Sequence, residues 1–383
     1  MVDMSALSAD LAAVHAPTGT ARGLPSALYT SDAAFALERE SIFYDGWACL
    51  GFGKDVPDVG NAVPLNFLGA PLLMLRDAAG AVKVYENVCR HRGMILVEEP
   101  RTFGGVIRCS YHSWCYSLDG KLRATPHVGG PGINTHAALD PKETGLTPIR
   151  SAVWMDCVFV DVSGTAPDFE EWIAPLAARW ADFVDRPLHH GGPESSFTLE
   201  VNCNWKLAIE NYCESYHLPW VHPGLNAYSR LEDHYHIEAR GTFSGQGTVV
   251  YNPQFEAGAF PNFPNLPKQW DTAAEYVSLF PNLMLGIHRD HMFALKLDPQ
   301  APGRTIEHVE IWYATEAAAR NPDHQPLRDA NAAQWKEVFT EDIFVVEGMQ
   351  RGRHAPNFDG GRFSAVMDNP THLFHEWVAG RLA

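Results

Sequence analysis

The sequence has no stretch of about 18 consecutive apolar residues, the length a membrane-spanning helix needs, so a membrane protein is not expected. It is also short of positive charge. The 29 Lys and Arg stand against 46 Asp and Glu, a formal net charge of −17, and leave no basic stripe to neutralise a phosphate backbone or an anionic lipid surface. Nucleic acid and membrane are thereby set aside as partners, and a neutral or cationic substrate is easier to accept than a polyanion. Cysteine is sparse: Cys49, Cys89, Cys109, Cys115, Cys157, Cys203 and Cys213 are an odd number spread over 383 residues. That argues against a disulfide framework and for the reducing cytoplasm. The first twenty residues, MVDMSALSADLAAVHAPTGT, contain no Lys or Arg and no sustained apolar run, so no export signal is read there. No G-x-G-x-x-G fingerprint, internal repeat, low-complexity tract or coiled-coil heptad is present, and a nicotinamide or flavin site of the chain's own is not expected.

What the chain does have is apolar and aromatic material, 46% hydrophobic residues with 11 Trp, 12 Tyr and 20 Phe, enough for substantial cores in about two domains. From residue 42 to 162, runs such as WACLGF, AVPLNFLGAPLLMLRD and SAVWMDCVFVDV are cut by turn signals at Asp77 to Gly80 and at Asp119-Gly120, which predicts a β-rich module. Residues 125–148 read as a long ordered loop. Beyond Phe169 the spacing predicts a helix over 169–184, a strand at SFTLEVNCN and a helix capped by Asn204 and stopped by Pro219. Strands follow at GTFSGQGTVVYN, EYVSLFPNLMLGIH, MFALKLDPQ and RTIEHVEIWYAT. A long helix is predicted over 326–349, where Ala330, Trp335, Val338, Phe339, Ile343, Val346 and Met349 recur at helical spacing. The fold class is α+β, with a β module over 42–162 inserted into a second domain made of 1–41 and 163–383.

Two constellations carry chemistry. The first, NVCRHRG followed by VIRCSYHSWC, places Cys89 and His91 in one loop and Cys109 and His112 in another. Structural zinc sites usually take two ligands of one kind from each knuckle, whereas mixed Cys/His loops suit a two-iron cluster with two Cys on one iron and two His on the other. A Cys2His2 zinc site and four unrelated core residues are the alternatives. The stretch resembles the Rieske 2Fe-2S domain, matching its C-x-H and C-x-x-H boxes; Cys115 lies outside that pattern and is expected to pack.

The second constellation is NWKLAIENYCESYHLPWVHPG. Asn211, Glu214 and His217 stand at successive i, i+3 spacings and would share one helical stripe, with Leu207, Ile209 and Tyr212 facing the core. His222, beyond Pro219, can curl back toward His217. Two His and one carboxylate on one face of an iron leave positions open for dioxygen and substrate. Alone, the pair is as easily explained by two ordinary satisfied histidines.

Together the two segments resemble the large (α) subunit of Rieske non-haem iron oxygenases, from WACLGF to the C-terminal helix. The resemblance implies a helix-grip catalytic domain and a mononuclear Fe(II) held by His217, His222 and Asp342. Glu341, one helical step from Asp342, is expected to be solvated. Glu214 would bridge a Rieske His of one subunit and an iron-ligating His of the next in a homotrimeric ring, and Glu214 and Asn211 are the candidates for catalytic roles. Electrons from NAD(P)H would arrive through a separate flavin/iron-sulfur reductase. The glutamate and the short spacing to His217 are similar to the quaternary-ammonium (carnitine/betaine) branch. The implied reaction is O2-dependent hydroxylation or oxidative N-dealkylation of a small organic substrate, with aromatic-ring dioxygenation or O-demethylation as alternatives. A Rieske electron carrier is the non-enzyme alternative.

Remaining features have plainer expectations. His288-Arg289-Asp290-His291 reads as an exposed turn or a polar substrate contact. His234 and His236 would share one face of a strand, and His189-His190 reads as a loop. Trp220, Tyr228, Trp270, Phe280, Trp312 and Tyr313 are core by default, and a few aromatics could cage a methylated ammonium through cation–π attraction.

Overall fold

The structure, a computed structural model, describes residues 10–383; residues 1–9, on which part of the export-signal expectation rests, lie outside the described residues. The chain divides into two compact units, residues 45–166 and the stretches that flank them.

The 45–166 unit holds a seven-stranded antiparallel sheet in the order 48–52, 157–161, 148–154, 82–86, 70–76, 61–67 and 101–102. A second sheet joins the short strands Val106–Arg108, Cys115–Ser117 and Leu122–Ala124. Both expected turns form. Asp77 Oδ1 accepts from the backbone N–H of Ala79 and Ala81, and Gly120, at φ 78, closes the Ser117 to Lys121 hairpin. A Cβ at Gly120 would stand 2.6 Å from the Tyr85 ring. Leu73, Leu75, Ile107 and Tyr116 are fully buried beside Cys89, Cys109 and Trp114. At about 1.5–3 kcal/mol for each large apolar side chain, this core fixes the two cysteine-bearing loops from beneath. Residues 125–147 form the expected loop, with one isolated bridge from Gly130 to Ile133.

The other unit is built on an antiparallel sheet in the order 189–190, 304–313, 291–301, 283–287, 274–279, 243–248 and 234–239, with Ser196–Val201 also paired to the 304–313 strand. The helix Gln325–Gly352 lies on it: Trp335 packs on Phe293 at 4.5 Å between ring centres and Phe339 at 5.2 Å. Trp335, Phe339, Asp342 and Val346 recur every three or four residues, so one carboxylate interrupts an otherwise apolar stripe.

Several elements differ from expectation. EYVSLFPNLMLGIH is a hairpin, Ala274–Leu279 paired with Leu283–Ile287, because Pro281 has no N–H for a ladder and Asn282 turns inward to donate to Leu297 O at 3.0 Å. The helix after Phe169 ends at Arg179, with Trp180 as its C-cap. A final helix, Asn369–Leu382, was not legible: its inner face carries Thr371, His372 and His375, polar residues that disguise the apolar period. His372 is satisfied by Val14 O at 2.7 Å, and His375 Nδ1 accepts from Leu24 N at 3.0 Å. Among the described residues no helix is long and apolar enough to cross a membrane.

Candidate metal centres

In the 45–166 unit the two cysteine loops have the same backbone plan. The N–H of Cys89 donates to Met94 O at 2.8 Å and that of Cys109 to Trp114 O at 2.8 Å. Each cysteine carbonyl accepts from the residue four positions on, Gly93 at 3.0 Å and Ser113 at 3.1 Å. Both of those residues have positive φ, 75° and 58°, natural for glycine and uncommon for serine, so the second loop holds its shape against some local strain. The loops bring the two imidazoles together, His91 and His112 lying 4.6 Å apart, with Trp114 stacked on His91 at 4.8 Å.

Burial raises the Cys89 thiol, while Tyr116 OH, 3.3 Å from its sulfur, and backbone hydrogen bonding at His91 oppose the rise. Slight desolvation, then His112 and Arg92, lowers His91, the direction that a neutral imidazole ligand requires. His112 Nδ1 is buried without a hydrogen-bond partner, a lone pair directed at nothing the protein supplies. These residues fit a metal group. Among the described residues, His217, His222 and Asp342 are the set that brings three ligand atoms within 4.8 Å of one another. Cys115 donates to Ser113 O at 3.2 Å and takes the packing role expected of it.

The second set is built on the helix Trp205–Tyr212. Asn204 caps it, accepting from Lys206 N at 3.1 Å. Buried charge anchors it: Lys206 Nζ donates to Glu38 at 2.5 Å and Leu28 O at 2.8 Å, and Glu210 pairs with Arg353 at 3.2 Å. The helix stops at Tyr212 and does not run on to Pro219. Glu214 accepts from the backbone N–H groups of Tyr216 and His217, drawing them away from helical carbonyls and starting a new turn, Leu218–Val221. Pro219 sits in that first turn, where its missing N–H costs nothing. The expected stripe of Asn211, Glu214 and His217 on one helix is therefore replaced by a helix end and a capped turn, and Asn211 still lines the same cavity.

The turn delivers His217 and His222 to Asp342 of the long helix. His222 Nε2 lies 3.0 Å and His217 Nε2 3.7 Å from Asp342 Oδ1. Each imidazole is held at its other nitrogen by a carboxylate, His217 Nδ1 by Glu214 at 2.7 Å and His222 Nδ1 by Glu341 at 2.7 Å. Glu341 is thus an orienting partner and not the solvated neighbour expected from sequence; a carboxylate one residue from a ligand gives no local sign that a distant imidazole will reach it. Burial alone would lower His217, but Glu214 and Asp342 outweigh it, and at His222 the burial penalty is overcome by Asp342 and Glu341; both are raised. Asp342 Oδ1, meanwhile, is buried and accepts no hydrogen bond. Two Nε2 lone pairs and one orphaned carboxylate oxygen converge in an acidic setting that calls for a cation, and the residues fit a metal ion.

Beside these residues opens a cavity walled by Tyr212, Tyr276, Phe293, Trp335 and Phe339. Its described lining has no Lys or Arg. Trp220, expected in a core, is 71% exposed and stands against Tyr216, 43% exposed, at 5.8 Å. His288 and His291, expected in an exposed turn or a polar substrate contact, are buried at 0% and 2%, which excludes the exposed turn. His189-His190 forms an edge strand on Tyr313 and Trp312. His234 is held by Ser229 and Gln246, and His236 lies 3.7 Å from Glu238, so neither joins a second metal set.

Comparison with known proteins places this arrangement. Residues 46–137 match the Rieske [2Fe-2S] domain family. The chain is 28% identical over 363 residues to chloroplastic choline monooxygenase of Beta vulgaris, covering 92% of this chain and 76% of that protein. It is 25% identical over 367 residues to the carnitine monooxygenase oxygenase subunit of Escherichia coli K12, covering 93% and 92%. Its fold is shared with the quaternary ammonium Rieske monooxygenase CntA in complex with L-carnitine, at TM-score 0.75, 22% identity and coverage of 95% and 96%. The fold is also that of a Rhodococcus naphthalene 1,2-dioxygenase, at TM-score 0.78, 18% identity and coverage of 99% and 97%. Residues 188–383, more than half of the chain, match the ring hydroxylating alpha subunit (catalytic domain) family; the chain belongs to that family and is a Rieske-type non-haem iron oxygenase, with a 2Fe-2S cluster and a mononuclear iron as its cofactors.

Proposed function

We propose that this oxygenase hydroxylates or oxidatively dealkylates a quaternary ammonium compound whose tail carries no carboxylate. The observation that carries this is the cavity wall: five aromatic side chains, no Lys or Arg among the described lining, and carboxylates at Glu214 and Asp342. Aromatic faces attract a methylated ammonium and acidic groups favour its charge, while a substrate carboxylate would find no counter-ion. The relatives named for choline and carnitine support the headgroup; the lack of Lys or Arg among the described lining favours a choline-like tail over a carnitine-like one.

In this proposal His217, His222 and Asp342 hold the mononuclear iron, and Cys89, His91, Cys109 and His112 hold the cluster. Iron with this ligand set supplies oxygen activation, fed with electrons by a separate NAD(P)H-dependent reductase. Glu214 and Glu341 orient the two imidazoles by accepting from Nδ1–H, leaving both Nε2 lone pairs free. The aromatic wall excludes water and positions the methyl groups, and Asn211 lines the floor. Glu214 also carries the link to a cluster histidine of a neighbouring chain in a head-to-tail trimer. The exposed Tyr216 and Trp220 beside it support a protein contact there.

The test is substrate-dependent oxygen uptake by the purified protein with a Rieske reductase. Choline-type compounds should give coupled uptake and oxidised product, carnitine should be turned over about tenfold or more less efficiently for want of a counter-ion, and benzoate should give none. Preference for the aromatic acid would overturn the assignment.

A further inference from the structure

Behind the aromatic wall lies a buried polar chain that neither metal centre uses. Trp335, which lines the cavity, donates its indole N–H to His291 Nε2 at 2.9 Å. His291 Nδ1–H in turn donates to Asp290 Oδ1 at 2.6 Å. The turn that carries them is fixed by backbone bonds from His288 N to His291 O at 2.9 Å and from Ala314 N to Asp290 O at 2.9 Å. A second wall residue, Tyr276, has its hydroxyl 3.3 Å from His288 Nε2, and the His288 and His291 rings stack 4.2 Å apart with planes 3° from parallel. His288 and His291 are 0% and 2% exposed and Asp290 is 9% exposed. For packing alone, apolar residues would fill this space without the cost of burying a carboxylate and two imidazoles.

We propose that Asp290 and His291 are positioning residues that make Trp335 an electron-rich, fixed face for the cationic headgroup, and so set the preference of the cavity for a cation over a neutral group of the same shape. An indole N–H that donates to an imidazole backed by a carboxylate is polarised toward the acceptor, and the density left on the ring deepens the negative potential of its π face. The hydrogen bond also locks the ring's orientation. Cation–π attraction depends on both, whereas contact with an uncharged methyl cluster depends on shape alone. The inference rests on the quaternary-ammonium assignment above and specifies how that site discriminates.

The experiment measures binding to the iron-loaded, cluster-containing protein without oxygen, by calorimetry, for choline and for its carbon isostere 3,3-dimethylbutan-1-ol. The wild-type protein should prefer the cation. Asp290→Asn keeps an acceptor for His291 but removes the charge, and the preference should fall about threefold with the isostere's affinity unchanged. His291→Leu should lower it by about tenfold. Because His291→Leu also leaves the Trp335 N–H unpartnered and can fold poorly, Asp290→Asn is the deciding variant, with cluster absorbance confirming a native protein. Equal losses for both ligands, or an unchanged ratio, would make the chain a structural prop and overturn the proposal while leaving the headgroup assignment standing. A wild-type protein with no preference for the cation would overturn both.

Discussion

Asp342→Ala should abolish turnover and empty the mononuclear site while the cluster keeps its visible absorbance. Asp342 Oδ1 is the point on which His217 and His222 converge, at 3.7 and 3.0 Å, and it accepts no hydrogen bond that would give it another task. Removing it leaves two neutral imidazoles, too few ligands to retain Fe(II) through purification. The loss of a metal that stabilises the reaction by several kcal/mol predicts a rate lower by about a thousandfold or more. The Cys89 to His112 ligand loops belong to a different compact unit, so their absorbance should survive. Glu341→Ala gives the graded contrast. His222 keeps its bond to the metal but loses the acceptor at Nδ1, and iron affinity should fall by about 10–100-fold without being lost. Metal analysis of the desalted proteins distinguishes the cases; full iron occupancy in Asp342→Ala would move the carboxylate ligand elsewhere, with Glu341 or Glu347 as the next candidates.

Glu214→Gln should leave both metals bound and the cluster reducible by dithionite, yet lower product formation by about a hundredfold or more. The amide keeps the size of the side chain but loses the charge with which Glu214 holds His217 Nδ1 at 2.7 Å and caps the turn through the N–H groups of Tyr216 and His217. Glu214→Asp should recover part of the rate, limited by its shorter reach. The proposed link between chains is read separately by co-expressing a Cys89→Ala chain, which lacks the cluster, with a His217→Ala chain, which lacks the iron. Activity in the mixed oligomer, absent from either parent, requires a cluster on one chain to serve the iron on another. Mixed oligomers that form and stay inactive would confine transfer to a single chain and remove that role from Glu214.

How much of this was legible depends on how local each signal is. The cluster loops could be read because each Cys/His pair is packed into four residues or fewer, with Gly93 beside one and a hairpin signal after the other. The proposed ligands His217 and His222 could be read for the same reason, whereas Asp342 came only through resemblance, since an acid so far along the chain leaves no spacing to count. Glu341 and the Asp290–His291–Trp335 chain were missed because their meaning lies in long-range contact. A charged tetrad between two strands looks like a solvated turn until the packing of the 325–352 helix shows that it is buried. The break after Tyr212 was invisible for a subtler reason: Glu214 suits a helix by propensity, and only its capture of the Tyr216 and His217 N–H groups ends one. The final helix hid its period behind buried histidines that bond to the chain's early residues.

Whether one chain carries two different iron centres is read most directly from the iron, zinc and acid-labile sulfide content of the purified, reconstituted protein. About three irons and about two sulfides per chain are expected, falling to about two irons in Asp342→Ala with sulfide unchanged. Zinc in place of iron, or two irons in the wild-type chain with no third to lose, would show that the two ligand sets do not hold the centres assigned to them.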